Sequence, residues 1–273
     1  MSSTSEPMVE ADLARLSARG IVLRFLALAA SDPTSERFAR VFDADFSELA
    51  AAAARHLATD PATNQVDLAP GEVSPERFDV EPIVEALRAP HEKLVDEHTR
   101  VFGLVVSKEC PPHEVQYCPQ TFSIYRSQRM ADIAGFYRAF GVEPGRDVPE
   151  RVDHVACELE FLAWLVAKEH YAHSQQDEGE EEWAERAAIS RDAQRDFVAK
   201  HLAWWVPAFA HALGKRAEAL DPPSPLHIGL ARALACLIPA ERAVLGVEPP
   251  DELALAKPDE EGSESECSGC GSD

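Results

Sequence analysis

The residues best able to do chemistry in this chain are concentrated in one stretch, from Glu109 to Glu169. Near its start, Pro111 and Pro112 stiffen the connection between two predicted helices, because proline fixes its own backbone and restricts the residue before it. We expect this connection to present Glu114 and Tyr117 close to the entrance of the following helix. A peptide or other ligand could meet a carboxylate and a phenol there.

A second group of polar residues lies in the first turns of a later predicted helix. Four-residue spacing places His154 and Glu158 on one helix face, and Asp153, Cys157 and Glu160 on another. We expect both sets at the edge of a buried surface, where they would remain accessible to a binding partner.

Each of these residues also has an ordinary structural interpretation. Asp153 could cap the helix, and His154 with Glu158 could form a surface pair that contributes only about 0.3 kcal/mol. Glu158 and Glu160 are two positions apart, so on a helix their side chains point in nearly opposite directions. That divergence argues against a catalytic pair of carboxylates.

The sequence offers little support for catalysis that depends on a metal or a nucleotide. Di-iron bundles need paired Glu-x-x-His motifs, which are absent, although a helical metal enzyme built on His113, His154 and Glu158 is an alternative. Cys267 and Cys270 have the spacing of half a zinc site, but no second Cys-x-x-Cys accompanies them, so we favour an inert tail. Glycine-rich phosphate loops and serine nucleophile elbows are also missing. We therefore expect no enzymatic activity and no permanently bound cofactor.

The formal net charge of −22 argues against nucleic-acid binding, which requires a basic surface. Such acidity favours solubility, and it could also attract a cationic partner. The longest apolar run near the N-terminus, Ile21 to Ala30, contains Arg24 and is too short to cross a bilayer. The start of the chain is polar and acidic and does not resemble a secretion signal. We expect a cytoplasmic protein without stable membrane association.

Hydrophobic spacing of three and four residues predicts an all-α fold. In one predicted helix, Val155, Leu159, Leu162 and Val166 form the apolar stripe that should face the core. The predicted helices are Ala11 to Ala30, Pro33 to His56, Val80 to Phe102, Gln120 to Phe140, Pro149 to His173, a helix ending near Pro207, and Leu226 to Leu237. We expect one globular helical domain over residues 11–246, between a disordered start (1–10) and a disordered acidic tail (247–273).

Three sequence motifs, in this order and spacing, resemble the TorD/DmsD/NarJ family of redox-enzyme maturation chaperones. They are Glu-Cys-Pro-Pro-His-Glu-Val-Gln-Tyr at 109–117, Gly-Phe-Tyr-Arg-Ala-Phe-Gly at 135–141, and Asp-His-x-x-x-Glu-Leu-Glu-Phe at 153–161. The first is most similar to chaperones that serve reductases and dehydrogenases of the dimethyl-sulfoxide-reductase type. The family's Pro-Asp-His motif falls on Val152, Asp153 and His154, so the proline is replaced here.

The resemblance implies a TorD-like helical chaperone that binds the immature catalytic subunit of a molybdenum oxidoreductase, its client. It also implies that the chaperone binds the client's twin-arginine signal region and supports insertion of molybdenum guanine dinucleotide before export. The cofactor would then be handled only through the client. Carried over to this chain, the binding residues would be Asp153 and His154, with Glu114 and Tyr117 in the loop. We expect Glu158 and Glu160 to join them as further carboxylates of the client-binding site.

A basic segment followed by an apolar one requires carboxylates beside an apolar groove, and these residues could supply the carboxylates. The alternative is a carrier that itself holds molybdenum guanine dinucleotide or GTP, against which the missing phosphate loop counts.

Overall fold

The computed structural model describes residues 5–103, 107–120, 122–143, 145, 150–175 and 180–256. Within these residues the chain is helical and contains no β-strand beyond one isolated bridge between His113 and His154. The α-helices in chain order are α1 (Ser5–Ala29), α2 (Ala44–Thr59), α3 (Pro61–Asn64), α4 (Glu81–Ala86), α5 (His91–Phe102), α6 (Ser123–Ala139), α7 (Val155–Ser174), α8 (Glu180–Phe197), α9 (Val206–Ala219) and α10 (Pro225–Leu245). The predicted all-α fold is confirmed.

Shorter helical segments join these helices at several points. Three are 3-10 turns, at Phe38–Phe42, Pro75–Arg77 and Glu114–Tyr117. The fourth is a π-helical segment, Val198–Leu202, which directly continues α8.

The core forms where α1 packs against α7, α7 against α8, and α9 against α10. The predicted stripe of α7 is confirmed, since Val155, Leu159, Leu162 and Val166 are all buried. Helix α7 is buried on more than one side, which is expected of a helix packed between two others. Burial of apolar surface along these helix contacts supplies the main favourable term in folding.

Proline accounts for one prediction that was wrong. The helix predicted from Val80 to Phe102 is two helices, and α5 begins directly after Pro90. Proline lacks an N–H and disfavours helical geometry in the residue before it, so Ala89 cannot continue α4 into α5.

Other helix boundaries also differ from the predicted ones. The helix predicted from Pro33 begins at Ala44, where the Asp43 carboxylate caps it by accepting from the Phe46 N–H. Helix α9 was not predicted, and α10 extends past Leu237 to Leu245. Gly246, at φ 66°, ends α10 in the left-handed conformation that favours glycine.

Parts of both segments that were predicted to be disordered lie within the described residues. Helix α1 starts at Ser5, inside the segment 1–10. At the other end, residues 247–256 run along the body of the protein, and Val247, Leu253 and Ala256 pack against the core. The remainder of the predicted tail, including Cys267 and Cys270, lies outside the described residues. Among the described helices, none is long and apolar enough to span a membrane.

A buried ion pair ties the first helix to the last. Arg19 on α1 donates to the carboxylate of Glu241 on α10, with Nη2 2.6 Å from Oε2, and both side chains are 1% exposed. Gln194 on α8 accepts from the same guanidinium nitrogen at 2.8 Å. Three helices therefore share one desolvated polar contact.

Candidate functional site

The predicted loop at 109–117 docks onto the start of α7. The N–H of Glu114 donates to the carbonyl of Asp153 at 2.9 Å, and the N–H of Val155 donates to the carbonyl of Pro112 at 2.9 Å. These reciprocal backbone bonds join two motifs that are far apart in the sequence.

Asp153 fastens this junction with its side chain, which is fully buried. Its carboxylate accepts two hydrogen bonds from the guanidinium of Arg151, at 2.9 and 2.8 Å, and a longer one from the N–H of Val115 at 3.4 Å. We predicted an accessible position at the edge of the core, and that prediction was wrong. The loop covers the side chain because its own N–H groups need acceptors there.

His154, and not Asp153, caps α7. Its Nδ1 accepts from the N–H of Ala156 at 3.1 Å, which requires a neutral ring. Burial lowers the pKa of His154 well below its usual range, and burial also lowers the pKa of His113 to about 4. The two neutral rings meet edge to face, with centroids 5.1 Å apart.

Glu114 lies at the centre of a buried polar cluster. Its carboxylate pairs with His201 Nδ1 at 3.0 Å, accepts from Trp204 Nε1 at 3.2 Å, and pairs with Arg129 Nε at 2.9 Å. The side chain is 0% exposed, so the predicted presentation at a helix entrance is replaced by burial. A carboxylate in this environment needs these donors because burying it unpaired would be costly.

Glu158 lies beside Glu114 in the same interior. Its Oε2 accepts from Trp205 Nε1 at 3.2 Å, so it does not form the surface pair with His154 that was the ordinary interpretation. Burial raises the pKa of Glu158 well above its usual range, and the negative charges of Glu114 and Asp153 raise it further. The protonated form of Glu158 is therefore favoured, as expected for a carboxyl group buried beside other carboxyl groups.

The π-helical segment Val198–Leu202 supplies the partners that sequence reasoning missed. It places His201 on Glu114, and the turn after it brings Trp204 and Trp205 onto the two carboxyl groups. Isolated π segments occur frequently at functional sites, because the extra residue shifts side chains relative to the helix. No periodicity in the sequence signals the shift, although the adjacent tryptophans mark the place.

Tyr117 is also internal. Its ring packs against Trp205 with centroids 5.4 Å apart, and within the described structure its hydroxyl makes no hydrogen bond. Burial raises the pKa of the phenol well above its usual range. The prediction that Tyr117 faces a ligand at the surface was wrong, because its ring completes the core beside the loop.

Glu160 differs from the other five predicted residues because it lines an open groove. It pairs with Arg37 at 2.6 Å and is about one-third exposed, at 36%. The groove runs between α1 and α7, has a volume of about 880 Å³, and is mostly apolar. Residues that line it include Gly20, Ile21, Phe46, Val142, Phe161 and Trp164.

Within the described ranges, no group of three His, Cys, Asp or Glu side chains has an arrangement that could hold a metal ion. In the alternative metal site at His113, His154 and Glu158, two of the three side chains make other contacts. His154 Nδ1 caps a helix, and Glu158 accepts from Trp205.

Residues 74–211 match the family described as "Nitrate reductase delta subunit", and this match includes the loop, α6, α7 and the π segment. The chain belongs to this family. The resemblance to the TorD/DmsD/NarJ chaperones is confirmed.

Several relatives are named as assembly chaperones. A selenate reductase assembly chaperone of Thauera selenatis is 34% identical over 139 residues, which cover 48% of this chain and 64% of the relative. A chlorate reductase assembly chaperone of Ideonella dechloratans is 34% identical over 34% of this chain and 49% of its own length. The chaperone TorD of Vibrio cholerae is 34% identical over 31% of this chain and 33% of its own length. The matches thus span about a third to two thirds of these relatives.

Proposed function

We propose that this chain is a cytoplasmic assembly chaperone, without catalytic turnover, for the catalytic subunit of a molybdenum oxidoreductase. The observation that carries the proposal is the family membership over residues 74–211, together with relatives named for the assembly of selenate and chlorate reductases. The client belongs to the dimethyl-sulfoxide-reductase type, and molybdenum guanine dinucleotide reaches it while the chaperone is bound. The chaperone holds no cofactor of its own.

The groove between α1 and α7 is the site that we assign to an apolar segment of the client. Small residues (Gly20, Ala163 and Ala167) and aromatic residues (Phe46, Phe161 and Trp164) both line the groove. Glu143, at its edge, is exposed and makes no ion pair with another described residue. Its carboxylate can accept from a basic residue next to the apolar segment, as in the start of a twin-arginine signal.

The buried motif residues have a supporting role in this proposal. Asp153, His154, Glu114, Glu158 and Tyr117 fix the loop and the end of α6 relative to α7, which forms one wall of the groove. Tyr137 of α6 lines the groove, and its hydroxyl donates to the carbonyl of Val152 at 2.8 Å. Of the six predicted binding residues, Glu160 alone lines the groove that we assign to the apolar segment of the client.

The test is affinity purification of the tagged chain from its native host, followed by mass spectrometry and assay of the client. We expect the catalytic subunit of a molybdenum reductase to copurify. Deleting the chaperone gene should lower the molybdenum content and activity of that enzyme, and the wild-type gene should restore both. Full cofactor loading in the deletion strain would contradict the proposal. Equilibrium dialysis with GTP and with the purified cofactor tests the carrier alternative, which requires retention of either one.

A further inference from the structure

We propose that Glu114 and Trp204 form a recognition site for an arginine side chain of the client, and that Arg129 occupies this site in the free chaperone. The inference rests on the proposed chaperone function and adds to it the chemistry of one contact. In the client-bound state, an arginine of the client would replace Arg129.

Two contacts of Arg129 define the guanidinium site. Its Nε lies 2.9 Å from Glu114 Oε1, and its guanidinium carbon lies 4.8 Å from the centroid of the Trp204 ring. A planar cation that pairs with a carboxylate while stacking on an indole is matched by arginine and poorly by lysine.

The acceptor side of this site is rigid and buried. Glu114 is held through its backbone by Asp153 and through its carboxylate by His201 and Trp204. Removing a cation from a buried carboxylate leaves an uncompensated charge. Glu114 therefore favours a cation beside it, from α6 or from another chain, and the Trp204 ring favours a guanidinium.

The side that supplies Arg129 is held much less firmly. None of the residues 123–132, which form the first part of α6, has a buried side chain. The two buried residues of α6, Ile133 and Tyr137, both lie in its second half. Arg129 itself is 30% exposed, so this part of α6 can move away without opening the core.

An entrance for an incoming cation lies beside Arg129. A cavity of about 460 Å³ lies between Cys118–Gln120 and α6, where Tyr125, Arg129 and Asp132 line it. Asp132 is 57% exposed, and in the described part of the chain it pairs with no arginine or lysine. The fully buried Nε2 of His201 lies 3.4 Å from Asp132 Oδ2 and makes no hydrogen bond there. The entrance thus offers a second carboxylate to a guanidinium.

The test compares Arg129→Gln with Arg138→Gln in the full chain. Arg138 is an exposed residue of the same helix, so both variants change the net charge equally. The probes are a capped peptide with two adjacent arginines before an apolar run and the same peptide with two lysines. Binding is measured by isothermal titration calorimetry, and unfolding temperature by circular dichroism.

We expect Arg129→Gln to bind the arginine peptide about tenfold more tightly than the wild type, because no internal guanidinium competes. The affinity of Arg129→Gln for the lysine peptide should rise by a smaller factor, and Arg138→Gln should bind both peptides as the wild type does. The arginine peptide should also raise the unfolding temperature of Arg129→Gln more than that of the wild type.

Equal or weaker binding of the arginine peptide by folded Arg129→Gln would overturn the inference. If Arg129→Gln does not fold, Arg129→Lys takes its place in the test. Lysine keeps the charge but lacks the planar guanidinium, so Arg129→Lys should also bind the arginine peptide more tightly than the wild type, by less than tenfold. Absence of any gain in Arg129→Lys would then be the contradicting result. Copurification of the client with the wild-type chain is a separate observation, so it can succeed while this inference fails.

Discussion

The N–H of Glu114 donates to the carbonyl of Asp153 at 2.9 Å, and this bond joins the Pro-Pro loop to the start of α7. The Asp153 carboxylate secures the same junction through Arg151 and the N–H of Val115. Two of the three motifs that carry the family resemblance, at 109–117 and 153–161, therefore form one structural unit.

Replacing Asp153 with alanine should destabilise the protein by about 2–3 kcal/mol, because charge-assisted hydrogen bonds are lost and the Val115 N–H is left buried. Urea unfolding followed by circular dichroism measures the change. Asp192→Ala is the matched control, since Asp192 is 68% exposed and, among the described residues, pairs only with Arg195. A loss for Asp153→Ala no larger than that of the control would contradict the assigned role. Adding His154→Ala removes the helix cap, so the double variant should also reduce client maturation.

Replacing Glu158 with glutamine should make stability less dependent on pH. The pKa of Glu158 is raised in the folded state above the unfolded value of 4.5, so its favourable contribution is complete below that value and is lost as the pH rises. Glutamine resembles the protonated acid and cannot ionise. We expect Glu158→Gln to unfold at a higher temperature than the wild type in alkaline buffer, with a smaller difference in acid. Glu160→Gln, at the open groove, is the control and should depend on pH as the wild type does. An identical dependence of stability on pH for Glu158→Gln and the wild type would contradict the raised pKa of Glu158.

Filling the groove between α1 and α7 should weaken client binding without unfolding the chain. Ala163 is partly buried and lines the groove, so Ala163→Phe places a ring in the space assigned to the client. We expect about a tenfold loss of affinity for the client subunit, measured by biolayer interferometry. Ala184→Phe adds the same ring to an exposed position of α8 and serves as the control. Equal affinities for the two variants would show that the client binds elsewhere.

Replacing Arg19 alone should destabilise the protein more than replacing both members of its ion pair with Glu241. Arg19→Met leaves Glu241 buried without its cation and should destabilise the protein by about 3–5 kcal/mol. Adding Glu241→Leu to that variant removes the stranded charge and should restore much of the loss. Chemical denaturation of the two variants checks this order, and a double variant less stable than the single one would contradict it.

The sequence alone determined the helical class, the position of the buried stripe on α7 and the family. These follow from local patterns: spacing of three and four residues identifies a helix and its buried face, and ordered motifs identify a family. Proline and glycine also marked several helix ends, although Pro90 divided a helix that periodicity alone had joined.

Only the tertiary structure decided whether the polar motif residues are accessible. The helical spacing predicted accessible positions for Asp153 and Glu158 beside the apolar stripe, but the loop at 109–117 covers Asp153 and the turn after the π segment covers Glu158. Those contacts join residues distant in the sequence, and no periodicity specifies them. Because of the same long-range packing, Glu160 lines the groove while Glu114 and Glu158 are buried. It also brings Arg129 into an ion pair with Glu114. Burial of a charged group depends on what packs over it, and that is a property of the whole fold.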